Sequence, residues 1–149
     1  MDKMRQQRTS WKRGTTAVEM AIVLPLFLML VLGAIEYGWL FYNVQQITNA
    51  ARQGARIAIL PHKTAESEAR TVITDPNTGL LARAKLLDDL VSGYPEFTST
   101  AISGDPDGRL QVTVQIRVST ADLCLVNAPS LIPIPKTIGA TVTMAKEGS

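Results

Sequence analysis

Carboxylates, one histidine and one cysteine are among the side chains of this sequence that could take part in catalysis or metal binding. Two of the carboxylates, Glu19 and Glu36, lie in a strongly apolar stretch. A helix would hold them about 25 Å apart, whereas the paired carboxylates of a hydrolase lie within about 10 Å of each other. The two glutamates therefore cannot form a catalytic pair, and their tolerance in an apolar segment needs another explanation.

The remaining polar candidates are isolated along the chain. His62 follows Pro61, and this position indicates an exposed loop histidine. Asp105 and Asp107 resemble part of a cation-binding loop, but the longer acidic series and the distant glutamate of an EF-hand are absent, so the stretch is interpreted as a turn. The sequence also lacks phosphate-binding, dinucleotide-binding and nucleophile-elbow patterns. We expect no metal site, no cofactor and no enzymatic activity.

Cys124 is the single cysteine, so it cannot form a disulfide within the chain. Its neighbours in the stretch ADLCLVNA are mostly apolar, which indicates a buried structural thiol. A disulfide between two chains is the alternative.

One apolar segment carries both glutamates. They are the only charged residues from Ala17 to Tyr42. As a helix, residues 17–41 would measure about 37 Å, which exceeds the hydrocarbon thickness of about 30 Å. Trp39 and the aromatic residues at 37, 41 and 42 indicate an interfacial belt at the outer membrane face. Glu36 is expected to reach headgroup water there, and snorkelling is one explanation for Glu19.

The charge is distributed unevenly along the chain. Residues 1–14 carry five basic side chains and one acidic side chain, a net charge of +4, whereas the remainder is slightly acidic. The positive-inside rule then predicts a cytoplasmic N-terminus and an exported C-terminal part. A nucleic-acid-binding protein would need its basic residues on a folded face, so this function is not expected.

Small residues recur at helical spacing on both sides of the predicted membrane boundary. Ala50, Gly54 and Ala58 form a stripe on a helix expected to continue to about residue 60. Ala34 and Gly38 form a second pair within the span that would let another helix approach closely. Packing within the chain and contact with another subunit both remain open for the first stripe.

The chain beyond residue 60 predicts a small α+β domain. Helices are expected up to Arg70 and over residues 80–93, and strands over 96–102, 109–120 and 136–145. In the second strand run, alternate apolar residues from Leu110 to Val118 predict one buried face. The predicted organisation is a leader (1–14), a transmembrane helix (15–42), its exported continuation (43–60) and a domain with a three-stranded antiparallel sheet (61–149).

The stretch RGTTAVE followed by the apolar run resembles a class III prepilin signal. The longer pattern through Leu-Pro, Glu-aromatic-Gly and NAARQGARIA, over residues 12–58, resembles the TadE-like pseudopilins of the tight-adherence (Flp) pilus system. The resemblance implies a pilin-like fold and cleavage by prepilin peptidase between Gly14 and Thr15. The resemblance also implies that Glu19 is the fifth mature residue and acts in assembly. The implied partners are this peptidase, other pilins or pseudopilins and platform proteins of the bacterial inner membrane.

Three functions are compatible with the sequence. The first is a structural minor pseudopilin with a role in pilus biogenesis, adherence or secretion; the TadF-like and TadG-like proteins are relatives to consider, although the long additional domain of the latter is absent. The second is an uncut, single-pass anchored binding or sensor domain. The third, a secreted protein with an ordinary signal peptide, is disfavoured because bulky aromatics follow the apolar run.

Overall fold

The fold combines a long helix with a small helix-and-sheet domain. The computed structural model describes residues 3–61, 63–103, 105, 109–125 and 133–146, with side chains from residue 15 onwards. Its helices are α1 (Lys3–Ala58), α2 (Ala65–Thr74) and α3 (Leu80–Arg83), and its strands are β1 (Glu96–Ala101), β2 (Leu110–Ser119) and β3 (Thr137–Ala145). The predicted α+β class is confirmed.

Helix α1 runs without a break through the predicted leader, span and exported continuation. Pro25 lies inside it, and although a proline removes one helical hydrogen bond, the helix continues on both sides. The helix ends at Ala58, close to the predicted end, because Pro61 disfavours a helical conformation at Leu60. No change in secondary structure marks the predicted boundaries at 14 and 42, which stay predictions.

The three strands form one antiparallel sheet with β2 in the centre. Val114 of β2 pairs with Phe97 of β1 on one side and with Val142 of β3 on the other. The predicted alternation is confirmed, since four inward-facing residues of β2 are buried: Val112, Val114, Ile116 and Val118. Leu110, predicted on the same face, is exposed at the start of the strand.

Helix α1 supplies the wall of the core opposite the sheet, as predicted. Its buried residues Ile47, Ala51 and Ala55 lie in one cluster with Ile73 of α2 and the inner face of β2. Burying a large aliphatic side chain stabilises the folded state by about 1.5–3 kcal/mol, so this cluster fastens the second half of α1 to the domain.

The helix predicted over residues 80–93 is wrong, because α3 ends at Arg83. Lys85 has a φ of 58°, in the left-handed region, and this conformation ends the helix. The apolar residues beyond it are held by contacts distant in sequence: Leu90, for example, forms an isolated β-bridge with Val118. Helix α2 also extends four residues beyond the predicted end at Arg70.

The predicted connection between β1 and β2 is confirmed as a hairpin by the antiparallel pairing of its strands. Asp105 in this connection forms a salt bridge with Arg109, with 2.8 Å between Oδ2 and Nε. Its carboxylate thus pairs with a side chain of the same turn, whereas Asp107 and His62 lie outside the described residues.

Candidate functional site

Residues 15–35 of α1 form an apolar segment that lies outside the domain, and we refer to this segment as the rod. All side chains from 15 to 30 are exposed, among them the large apolar residues Ile22, Leu26 and Phe27. Residues 15–35, which precede the first fully buried side chain of the helix, would measure about 31 Å, close to the thickness of a bilayer core. By length and composition, α1 is therefore one candidate membrane-spanning helix.

The residues of the prepilin-like signal lie together on this rod. Gly14 and Thr15 are consecutive residues of the unbroken helix. The side chains of Thr15 and Glu19 are exposed. The carboxylate of Glu19 follows Thr15 by about one helical turn, so an amine created at Thr15 by cleavage would lie on the same part of the helix.

The two groups of small residues have different surroundings. Ala50, Gly54 and Ala58 are buried against the chain's own domain. A Cβ atom at Gly54 would overlap Cδ1 of Ile73 and lie 3.2 Å from its Cγ1. Ala34 and Gly38 are exposed, and a Cβ atom at Gly38 would meet nothing within 4 Å. The first group fits the domain, whereas the second leaves an open helix face.

Glu36 is the first residue of α1 that the domain buries completely. Its exposed fraction is 0%. Oε1 of its carboxylate accepts a hydrogen bond of 3.1 Å from the backbone N–H of Leu125, in the chain segment that follows β2. The expectation that Glu36 reaches headgroup water is wrong, because the domain folds back over its side chain. A carboxylate in this apolar helix is tolerated here because the chain itself provides a hydrogen-bond donor.

Two aromatic neighbours of Glu36 bind the same part of the chain. The hydroxyl of Tyr37 donates a 2.6 Å hydrogen bond to the carbonyl of Pro133, and the indole N–H of Trp39 donates a 2.8 Å hydrogen bond to the carbonyl of Leu123. We refer to Glu36, Tyr37 and Trp39 as the helix clamp, and to the described residues 120–125 and 133–136 as the β2–β3 connection. The clamp holds this connection through three backbone groups.

The predicted aromatic belt therefore divides into two parts. Tyr37 and Trp39 use their polar atoms within the chain, whereas Phe41 and Tyr42 are more than half exposed. Below the clamp, Asn43 is buried and donates to the carbonyl of Trp39, one turn earlier. The aromatic cluster at the end of the apolar run predicted an interfacial belt. It could not predict the hydrogen bonds of Tyr37 and Trp39, whose partners lie more than 80 residues away.

Cys124 lies next to the clamp. Its thiol is half-buried and donates to the carbonyl of Thr120, with 3.2 Å between Sγ and O. Burial, the negative charge of Glu36 and a hydrogen bond to that carboxylate raise the pKa of the Cys124 thiol. Among the residues that the structure describes, no group of three His, Cys, Asp or Glu side chains is placed to hold a metal ion.

Replacing Glu36 with glutamine should lower the pKa of Cys124. The amide oxygen can still accept the Leu125 hydrogen bond, but the negative charge that disfavours a thiolate is removed. We expect iodoacetamide to alkylate Cys124 of Glu36→Gln faster than wild type at pH 8, with the pH–rate curve displaced to lower pH. Coincident pH–rate curves for the two proteins would show that Glu36 does not influence the thiol.

Comparison with protein families finds a match to most of the long helix. Residues 14–56 match the model of the family described as TadE-like protein. The chain contains a TadE-like region. This match confirms the resemblance inferred from the motifs, and no curated protein and no solved structure matches the chain.

The TadE-like region coincides with α1 from Gly14 to Arg56 and ends two residues before the helix does. It contains the exposed apolar rod, the helix clamp and the small residues that pack against the domain. The sheet and the shorter helices lie outside it. The family match thus supports a general association with the Tad/Flp pilus and with a membrane.

Proposed function

We propose that this protein is a minor pseudopilin of a Flp-type pilus assembly system, with a structural and non-enzymatic role in pilus biogenesis, adherence or secretion. The TadE-like region carries the proposal, because its match begins at Gly14, immediately before the exposed apolar rod of α1, in which Glu19 is the fifth residue. Prepilin peptidase removes residues 1–14 and leaves the remainder of α1, from Thr15 onwards, as the anchor. Other pilins, pseudopilins and inner-membrane platform proteins are the assembly partners.

The proposed location is the bacterial inner membrane, with the N-terminus in the cytoplasm and the domain in the periplasm or outside the cell, either at the membrane or in the pilus. The net charge of +4 on residues 1–14 supports this orientation. Reporter proteins fused after residue 62 should be active outside the cytoplasm, and those fused before Lys12 only inside it. The opposite pattern would contradict the orientation.

The mass of the chain recovered from membranes tests the proposed function. A processed pseudopilin lacks residues 1–14 and begins at Thr15. An uncut anchored sensor domain retains the whole chain, and a secreted protein with an ordinary signal peptide loses the apolar run as well. Each alternative therefore gives a different mass and a different N-terminal residue.

Gly14→Leu should block cleavage and leave a full-length precursor in the membrane. A leucine replaces the residue after which the peptidase is proposed to cut, and the five basic residues that precede the span then stay attached. We expect this precursor to be absent from pili. Gly33→Leu is a matched control in the same helix, since a Cβ atom there meets nothing within 4 Å. Normal processing of Gly14→Leu would place the cut elsewhere.

A further inference from the structure

The β2–β3 connection lies level with the outer end of the exposed apolar rod. Leu125 donates its N–H to Glu36, and Glu36 directly follows Ile35, a half-exposed apolar residue of the rod. The connection is therefore fixed about one residue beyond the segment that has the length of a bilayer core. In a bilayer whose hydrocarbon core covers residues 15–35, and not the longer predicted span 15–42, a folded segment at this level meets the lipid headgroups.

Three backbone groups of the described connection pair with side chains of the helix clamp. The carbonyls of Leu123 and Pro133 accept from Trp39 and Tyr37, and the N–H of Leu125 donates to Glu36. The hydroxyl of Thr120 donates to the carbonyl of Pro135. Irregular backbone next to lipid needs such internal partners, because water is scarce there and each unpaired polar group is costly.

Leu125 supplies the apolar surface that a membrane contact requires. It directly follows Cys124 in the connection, and its exposed fraction is 56%. The amide of the same residue donates to Glu36, so the backbone of Leu125 is held next to the residue that follows the rod.

We propose that the β2–β3 connection is a second membrane contact, in which Glu36 holds Leu125 against the lipid at the outer end of the span. The first contact is α1 itself. The inference rests on the anchoring of α1 in a bilayer, but it requires neither cleavage after Gly14 nor assembly into a pilus. Within the Glu-aromatic-Gly motif, Glu36 is then a positioning residue for a lipid-facing segment.

Fluorescence quenching at single labelled positions tests this contact. In the full chain with Cys124→Ser, whose hydroxyl can still donate to Thr120, a cysteine replaces Leu125 and carries an environment-sensitive fluorophore. Ile22→Cys in the exposed rod and Ala101→Cys at the far end of the sheet are the comparison positions. The proteins are placed in phosphatidylcholine vesicles, because the exposed carboxylate of Asp122 in the connection would be repelled by anionic lipid.

Lipids with a nitroxide near the headgroup should quench the label at 125 severalfold more than the label at 101, whereas aqueous iodide should give the reverse order. With Glu36→Ala, the label at 125 should become quenched by aqueous iodide. With Glu36→Gln, which keeps the acceptor oxygen, it should stay protected from iodide. Iodide quenching at 125 equal to that at 101 would overturn the membrane contact. Lipid quenching unaffected by Glu36→Ala would overturn the role of Glu36. Iodide quenching at 22 would instead contradict the anchoring of α1.

Discussion

A Glu19→Ala chain should be inserted and cut normally but should fail to enter pili. Cleavage after Gly14 would create an α-amine at Thr15, and an amine with a pKa of about 7.7–8.0 is largely protonated at neutral pH. The cation would lie one helical turn from Glu19, either in the same chain or in an adjacent subunit. Removing one member of a buried ion pair costs about 3–5 kcal/mol, whereas an exposed pair contributes about 0–1 kcal/mol.

The measurement combines the mass of the membrane-bound chain with the amount of pilus on cells that lack the wild-type protein. Glu19→Gln separates charge from size and should resemble Glu19→Ala if ion pairing is the cause. Glu66→Ala, which removes an exposed carboxylate of α2, is the control. Full piliation with Glu19→Ala would show that Glu19 only snorkels to the membrane surface.

A leucine at Gly54 should destabilise the domain, whereas a leucine at Gly38 should leave its stability unchanged. The side chain at 54 would overlap the end of Ile73, which is fully buried and has little space to move. Overpacking a core of this kind costs about 1–3 kcal/mol. At Gly38 a Cβ atom meets no neighbour, and leucine is the better helix former.

Thermal unfolding in detergent, followed by the circular dichroism of the sheet and helices, measures the difference between the two variants. Gly38→Leu should instead weaken crosslinking to partner pseudopilins, because it fills an open face suited to close helix packing. Equal unfolding temperatures for the two variants would contradict the packing of Gly54. Unchanged crosslinking of Gly38→Leu would remove Gly38 from the proposed partner contact.

Local patterns predicted the elements whose stability depends on one repeating face. Alternation in β2 predicted its buried residues, and the length of the apolar run predicted α1. The helix predicted after Arg83 is wrong because a helical spacing of leucines cannot reveal the left-handed conformation of Lys85. Nor can it reveal the pairing of Leu90 with Val118.

The burial of Glu36 had a signal in the sequence. Glu36, Leu40, Asn43 and Ile47 follow each other by four, three and four residues and continue into the stripe of small residues. All four are buried. A period of about 3.6 that starts at a glutamate indicates that the glutamate shares the covered face. The identity of its partner, Leu125, could not be predicted, since nothing in the local pattern specifies a contact 89 residues away.

Because α1 is continuous from the rod to the domain, rotation of the rod about its own axis also rotates the sheet. Successive helical residues turn by about 100°, so Glu19 points about 100° around the axis from Glu36. Gly38 points almost opposite to Glu36. A neighbour that binds Glu19 must therefore approach the rod from the side that lies about 100° around the helix axis from Glu36. A neighbour that packs on Gly38 must approach from the side of the helix opposite Glu36. The side on which a neighbour binds therefore fixes the rotational orientation of the domain about the axis of α1 relative to that neighbour.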